Sequence, residues 1–235
     1  MQPHRGPAAG TVIGLERHEA VAHRAGEGTH ETYGVTVQLL LVRHALPLRS
    51  EPGEGSDPHL SEEGLAQAAR LPDALSRFPI TRLVSSPQRR AQQTAQPVAD
   101  ALGLPVDVDE RLAEYDYGLS HYTPIEEISK EDLQRLIDGH LPGDVDPVAF
   151  QARIWAGIDD IVATAGHDDT VAVFSHGGVI NAVVHRVMKT ARLLCVQVDY
   201  VGVTRVLSSR GGRLSVASVN GTEHVWDLLP RNQQW

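Results

Sequence analysis

The stretch QLLLVRHALP, residues 38–47, decides how the rest of the chain is interpreted. It belongs to an apolar, β-branched run over 35–42 that is typical of a buried strand, and this run ends abruptly in Arg43 and His44. In open α/β sheets, ligands bind outside the carboxyl ends of the strands. The stretch therefore predicts a central strand that carries two polar side chains to a ligand-binding edge.

A second strand with a similar ending follows much later in the chain. The apolar run over 170–174 leads into Ser175, His176 and two glycines, and a helix is predicted over 179–187. Because parallel strands present their carboxyl ends at one edge of a sheet, we expect His44 and His176 to be neighbours. A helical turn is expected after each histidine, where its free N–H groups would face an anion.

The remaining periodicity predicts an α/β fold with three layers, α/β/α, in which a mostly parallel central sheet has helices on both faces. The other predicted strands are 80–85, 106–108 and a closing hairpin of 202–208 with 213–219. Two of the predicted helices are 61–77, capped by Ser61, and 146–164. The sequence thus alternates between strands and helices in the manner of a single α/β domain.

One further helix is predicted to begin at Ser86 and Pro87, with serine as the cap and proline at the first helical position. Pro97 lies inside this helix, so a kink or break is expected near Gln96. The weakly periodic span 115–147 is predicted to be an inserted lid. We therefore predict one domain over 35–235, preceded by a flexible N-terminal extension over 1–34.

Composition and charge restrict the class of protein. The 235 residues are 41% hydrophobic, enough for a full core, and the net charge of -9 argues against nucleic acid as a partner. No apolar run approaches the roughly twenty residues that cross a bilayer, so no membrane contact is expected. The single cysteine, Cys195, favours a cytoplasmic location. The run over 193–203 fits either the core or the edge of a homo-oligomer.

Arginine and histidine at one edge of a sheet suit the chemistry of phosphate. A planar guanidinium group pairs with two phosphoryl oxygens, and a neutral imidazole is a competent nucleophile towards phosphorus. A second imidazole can donate a hydrogen bond to the group being transferred. The residues therefore predict a phosphate pocket around Arg43, His44 and His176 that needs no metal and no cofactor, because these side chains supply the positive charge.

Several segments of the chain, in order, resemble the histidine phosphatase superfamily, also called the phosphoglycerate-mutase-like family. The resemblance spans about residues 37–225. Its segments are LLVRHA at 40–45, LVSSPQRRAQQTA at 83–95, RLAEYDYG at 111–118, FSHGGVI at 174–180 and a closing SVNGTEHVW at 218–226. Because one short motif alone is weak, the order and spacing of the segments carry the resemblance.

The resemblance implies a role for each residue of the pocket. His44 would be the nucleophile and become phosphohistidine, Arg43 and Arg90 would bind the phosphoryl oxygens, and His176 would complete the pocket. The family places its second arginine directly before the alanine of the second motif, which selects Arg90. The neighbouring Arg89 is expected to be a solvated helix position.

The resemblance also implies a proton donor. Glu114 aligns with the acid that protonates the leaving oxygen, which requires a carboxyl group kept protonated by burial or by nearby negative charge. Asp116 is the alternative acid. The candidate substrate contacts are Ser50, Asn181 and Tyr117.

The sequence thus favours a metal-independent phosphomonoesterase for a small phosphorylated metabolite. The predicted lid offers Lys130 and Arg135 as its only cations, so few further charges are expected on the substrate. Ala45 replaces the glycine usual in the family and is expected to crowd the pocket slightly, whereas Leu46 and Pro47 replace residues typical of mutases. Two alternatives stay open: phosphoglycerate-mutase-type transfer, and a weakly active module that binds a phosphorylated ligand.

Overall fold

The computed structural model describes residues 35–49, 55–124, 127–209 and 211–232. The predicted N-terminal extension, 1–34, and the candidate contact Ser50 lie outside the described residues. No helix in the described part of the chain is long and apolar enough to cross a membrane.

The fold is organised around one six-stranded sheet with the order β3-β2-β4-β1-β5-β6. Its strands are β1 Val35–Arg43, β2 Ile80–Ser85, β3 Val106–Val108, β4 Asp169–Ser175, β5 Val203–Ser209 and β6 Leu214–Gly221. The pairings from β3 across to β1 are parallel, and those that join β1, β5 and β6 are antiparallel. The prediction of a mostly parallel sheet closed by a hairpin is confirmed.

Helices cover both faces of the sheet. They are α1 Glu62–Ala68, α2 Leu71–Leu75, α3 Arg89–Leu102, α4 Lys130–Ile137, α5 Pro147–Thr164 and α6 Gly177–Met188. Alternate residues of β1 enter opposite cores: Leu39 and Leu41 pack with residues of α5 and α6, whereas Leu40 and Val42 pack with residues of α1, α2 and α3. Burial of this central strand on both faces explains the unbroken apolar run over 39–42. The three-layer α/β/α class is confirmed.

Two predicted helices differ from those observed. The helix predicted over 61–77 is divided into α1 and α2, because Pro72 lacks the N–H group that a continuous helix requires at that point. The helix predicted to start at Ser86 and Pro87 begins at Arg89 instead, after the extended residue Gln88. It also continues through Pro97 without the predicted break, and its buried face packs against the sheet on either side of this proline.

Candidate active site

Three neighbouring strands end at the same edge of the sheet and bring the histidines together. Arg43 of β1 pairs in register with Ser175 of β4, and the His44 N–H donates to the Ser175 carbonyl at 2.9 Å. The ring centroids of His44 and His176 lie 5.2 Å apart. The predicted proximity of the two histidines is therefore confirmed.

Arg43 is the last residue of β1 and is buried. Its Nη1 donates to the Val198 carbonyl at 2.6 Å, and its guanidinium carbon lies 4.0 Å from the centroid of the Tyr200 ring. These contacts come from the segment before β5, so the antiparallel half of the sheet also orients the site.

His44 has a defined tautomer. The Nε–H group of Arg90 donates to His44 Nε2 at 3.3 Å, so Nε2 must be the acceptor and the ring proton lies on Nδ1. His44 Nδ1 is 2.8 Å from the Ala45 carbonyl, which can only accept. Burial, followed by the positive charges of Arg90 and Arg43, lowers the pKa of His44 well below its ordinary value. His44 is therefore neutral, and the Nε2 lone pair accepts the hydrogen bond from Arg90.

Arg90 is fully buried in the first turn of α3. Its Nη1 donates to the Ser56 carbonyl at 2.7 Å, and its Nη2 lies 2.9 Å from each carboxylate oxygen of Asp116. Its guanidinium group also stacks on Tyr122, 4.6 Å from the ring centroid. By contrast, the side chain of Arg89 is 61% exposed. The structure thus places Arg90, and not Arg89, beside His44.

His176 caps the N-terminus of α6 and is wholly buried. Its Nε2 lies 2.7 Å from Ser86 Oγ, and its Nδ1 has no hydrogen-bond partner in the described part of the chain. Burial, with the nearby charge of Arg90, lowers the pKa of His176 well below its ordinary value. The helical turn predicted after each histidine occurs only here, because residues 45–49 after His44 are not helical.

Glu114 reaches the site from the loop that follows β3, and it is buried. Its Oε2 accepts a hydrogen bond of 2.7 Å from the N–H of Gly178 at the start of α6. A methyl group at Gly178 would overlap this carboxylate, so the glycine provides the space that Glu114 occupies. Burial, with the charge of Asp116 second, raises the pKa of Glu114 to about 7. Near neutral pH this group can therefore give up or take a proton.

Gln88 connects Glu114 to the ion pair of Arg90. Its side-chain amide nitrogen donates to Asp116 Oδ1 at 2.9 Å, and its amide oxygen accepts from the Glu114 main-chain N–H at 2.8 Å. Gln88 and Asp116 are both buried. The two residues lie between the acid and the arginine.

A cavity of about 670 Å³ opens above these residues. Its inner end is formed by Arg43, His44, Arg90 and Glu114, and its outer walls come largely from the span 115–143, within the predicted lid. This span contains α4 and contributes apolar and polar side chains to the wall. Apolar members of that wall are Leu119, Ile128, Leu136 and Leu141.

The other sequence-predicted residues occupy different places. Asn181 lines the cavity, and its amide group bonds to the main chain of Gly177 and of the loop at 195–196. Tyr117 is half exposed and does not line the cavity. Ala45 packs into the core and not into the cavity wall, and its N–H donates to Thr94 Oγ1. The expected crowding of the pocket by Ala45 is therefore wrong.

Sequence reasoning missed several residues of the site. It treated Ser86 only as a helix cap, and it gave no role to Gln88, Gly178 or Tyr200. Ser86 could have been found, because it follows β2 at the same sheet edge as His44 and His176. The partners of Gln88 and Tyr200 depend on how distant segments pack. Within the described ranges, no three His, Cys, Asp or Glu side chains are grouped so that they could hold a metal ion.

Comparison with known proteins adds independent information. The family model described as the histidine phosphatase superfamily, branch 1, matches residues 39–221. A protein from Hydrogenobacter thermophilus named as a phosphoserine phosphatase is 29% identical over 203 residues, covering 81% of this chain and 98% of that protein. A protein from Yersinia pestis named as a phosphoglycerate mutase is 30% identical over 152 residues, covering 60% of this chain and 70% of that protein.

Solved structures share the fold. A mycobacterial glucosyl-3-phosphoglycerate phosphatase in complex with VO3 is 25% identical, with a TM-score of 0.67 over 78% of this chain and 98% of that one. A phosphoserine phosphatase from Entamoeba histolytica, in complex with 3-phosphoglyceric acid, is 21% identical, with a TM-score of 0.64 over 80% of this chain and 99% of that one. The second likeness concerns the fold alone.

Proposed function

Because the chain belongs to branch 1 of the histidine phosphatase superfamily, we propose that it is a phosphatase that hydrolyses phosphate monoesters through a phosphohistidine at His44. The observation that carries the proposal is the state of the His44 ring, which is neutral and has its Nε2 lone pair next to Arg90. A neutral imidazole of this kind is a nucleophile. Relatives named as phosphatases support the same activity.

In the first step, the Arg90 Nε–H turns from His44 Nε2 to a phosphoryl oxygen of the bound ester, and the freed Nε2 lone pair attacks the phosphorus. The bond between phosphorus and the alcohol oxygen breaks, and the departing oxygen takes the proton of Glu114. The raised pKa of Glu114, about 7, keeps a useful fraction of this carboxyl group protonated near neutral pH. Arg43 and Arg90 neutralise the phosphoryl oxygens, and His176 donates a hydrogen bond to one of them.

In the second step, Glu114 has become a carboxylate and takes a proton from water. The oxygen of this water attacks phosphorus, the P–N bond to His44 breaks, and inorganic phosphate leaves. Both histidines return to their neutral state. Because the guanidinium groups supply the positive charge, the cycle runs without a metal ion, and we expect activity to survive dialysis against a chelator.

The proposed substrate is a small phosphate monoester whose alcohol part carries few charges. Among the described residues, the wall that the span 115–143 contributes to the cavity contains one lysine or arginine, Arg135, together with apolar groups such as Leu119 and Leu136. A panel of phosphate monoesters tests this assignment. It should include the compounds in the relatives' names, phosphoserine and a phosphoglycerate, and ethanolamine phosphate, which lacks the carboxylate of phosphoserine. A kcat/KM that is at least equal for ethanolamine phosphate is expected.

The decisive experiment is to identify the phosphorylated residue. The protein is mixed with excess substrate, quenched within milliseconds at high pH, digested and analysed by mass spectrometry. A phosphoryl group on His44 that survives base and is lost in acid is the expected result. A label lost in both acid and base would place the phosphoryl group on a carboxylate, one stable in acid but lost in base would place it on a serine or threonine hydroxyl, and either result would refute the mechanism.

Phosphoryl transfer of the mutase type is the second candidate, since the Yersinia relative is named as a phosphoglycerate mutase. Leu46 and Pro47, directly after the nucleophile, are not the residues typical of mutases. A mutase requires a bisphosphorylated primer to load its histidine, whereas a phosphatase does not. Transfer between two positions of a phosphoglycerate that appears only with primer would favour the mutase.

A further inference from the structure

We infer that Asp116 and Gln88 are positioning residues that couple the phosphate-binding Arg90 to the acid Glu114. The inference rests on the proposed function. It assigns to Asp116 the task of holding Arg90 and of keeping Glu114 protonated until substrate arrives, and it assigns to Gln88 the task of fixing the main chain that carries Glu114.

The geometry consists of one continuous path of hydrogen bonds. Arg90 Nη2 donates to both carboxylate oxygens of Asp116 at 2.9 Å, and Gln88 donates to Asp116 Oδ1 at the same distance. The other end of the Gln88 amide accepts from the Glu114 N–H at 2.8 Å. Because Arg90 also donates to the His44 Nε2 atom, the path runs from the nucleophile to the acid. Each member of the path is at most 7% exposed.

Besides holding these side chains in place, the path affects the pKa of Glu114 through the charges of Asp116 and Arg90. The Asp116 carboxylate is close enough to Glu114 to oppose its ionisation, and this effect is second only to burial in raising the pKa of Glu114. Arg90 acts in the opposite direction, and Asp116 neutralises that arginine through its ion pair. A single carboxylate therefore favours protonated Glu114 both directly and by offsetting Arg90.

The other groups around Glu114 need to be kept constant in any test. Charged or titratable side chains that face it or share its pocket come from its own segment, from α3, from α5 and from the ends of β1 and β4. The nearest are Tyr115, Asp116, Arg90, Arg153, Arg43 and His44, with His176 beside His44, and the cavity wall adds His121, Tyr122, Glu127, Asp132, Arg135, His140 and Asp199. Burial and the nearby arginine charges lower the pKa of both His44 and His176 well below its ordinary value, so neither is expected to titrate together with Glu114 near neutral pH.

The test replaces Asp116 by Asn, which keeps the shape of the side chain and removes its charge. The pKa of Glu114 in Asp116→Asn is expected to fall, so the basic limb of kcat/KM should move by about one pH unit to lower pH. Vanadate should bind at least as tightly as to the wild type, because the asparagine oxygen can still accept from Arg90 Nη2 while the arginine is no longer neutralised. A role limited to folding would instead lower activity by one factor at every pH, and superposable pH profiles would refute the inference.

Asp109→Asn is the matched control. Asp109 forms a comparable ion pair with Arg111, at 2.7 Å, but it lies outside the cavity. Its replacement should leave the basic limb where it is. A shift as large as that of Asp116→Asn would show that any ion-paired carboxylate in this region has the effect, and the inference would fail.

Two further experiments test the inference if no phosphohistidine forms or if Asp116→Asn does not fold. Titration of the Glu114 carboxyl carbon by NMR, assigned with Glu114→Gln, requires no turnover, so a lower midpoint in Asp116→Asn supports the inference even if no phosphohistidine forms and the proposed function fails. If Asp116→Asn does not fold, Gln88→Leu replaces it: a tenfold loss of kcat with unchanged vanadate affinity is expected. Equal losses of both quantities would refute the inference.

Discussion

The ends of β1 and β4 present two histidines that look alike in the sequence but are held by opposite ring nitrogens. His44 is fixed through Nδ1, which bonds to the Ala45 carbonyl, and its Nε2 meets Arg90 at the cavity. His176 is fixed through Nε2, which contacts Ser86, and its Nδ1 has no partner among the described residues. The two rings therefore differ in the nitrogen that anchors them, which is Nδ1 in His44 and Nε2 in His176.

Two histidines at similar strand ends can therefore have different chemical roles. A nucleophile needs a lone pair, and the Nδ1–H of His44 leaves one on Nε2. The Ser86 hydroxyl accepts from the Gln88 N–H and can donate its own proton to His176 Nε2. In that arrangement the ring proton of His176 lies on Nδ1, and this ring can donate to the transferred group. We therefore expect covalent chemistry at His44 and hydrogen-bond donation at His176.

Replacing each histidine by alanine should cause the largest losses of activity, and the two variants should differ in whether a phosphoenzyme forms. His44→Ala removes the only proposed nucleophile, so activity on an aryl phosphate should fall by at least about a thousandfold and no phosphoenzyme should form. His176→Ala removes a donor to the transferred group and should cost about a hundredfold, with the phosphoenzyme still detectable. Rapid quench and steady-state rates measure both quantities.

Circular dichroism and thermal unfolding provide the control for both variants. The far-ultraviolet spectra should match that of the wild type. If His176→Ala were the variant that lost the phosphoenzyme and His44→Ala retained it, the assignment of the two rings would be reversed.

A second difference between the two strand ends is the pair of glycines after His176, because Ala45 and Leu46 follow His44 instead. A methyl group at Gly178 would overlap the carboxylate of Glu114, whereas one at Gly177 would come no closer than 3.9 Å to Arg43 Nε. Because the obstructed atoms end a side chain, the fold can accept Gly178→Ala by displacing Glu114. Activity should fall by up to about a hundredfold with little change in Tm.

Gly177→Ala is the matched control for that prediction and should stay within about threefold of the wild type. A basic limb of the pH profile that disappears in Gly178→Ala, but not in Gly177→Ala, would confirm that Glu114 is the group displaced. Equal activity of the two alanine variants would contradict the role of Gly178.

The sequence was sufficient to predict that the two histidines are neighbours, because their positions follow from the ends of two strands. Any parallel pairing of two apolar strands places Arg43, His44 and His176 at one edge, so the cluster could be predicted without knowing a single tertiary contact. The same reasoning could not find the bond between Gln88 and Asp116, which joins residues 28 apart in the chain through the packing of a loop against α3. Local patterns contain no information about such a pair.

Ser86 shows how a correct local rule can give a wrong assignment. Serine followed by proline is a good helix start, yet α3 begins at Arg89. The Ser86 hydroxyl contacts His176 instead of capping the helix, and Gln88 adopts an extended conformation before the first turn. The contact between Ser86 and His176 has thus replaced the helix-capping role that the local sequence favours for Ser86. Helix starts beside a candidate site are therefore less predictable than those elsewhere.

Ser86→Ala tests the origin of the difference between the two rings and has the smallest expected effect. Without the hydroxyl, His176 Nε2 loses its partner and the proton is free to move from Nδ1 to Nε2. Loss of one hydrogen bond of this kind costs about 1 kcal/mol, so kcat should fall by roughly tenfold at most. The ¹⁵N shifts of the His176 ring should show the change of tautomer, those of His44 should not change, and Ser86→Thr should restore both the shifts and the rate. If the His176 shifts in Ser86→Ala matched those of the wild type, the tautomer would be set by something other than Ser86.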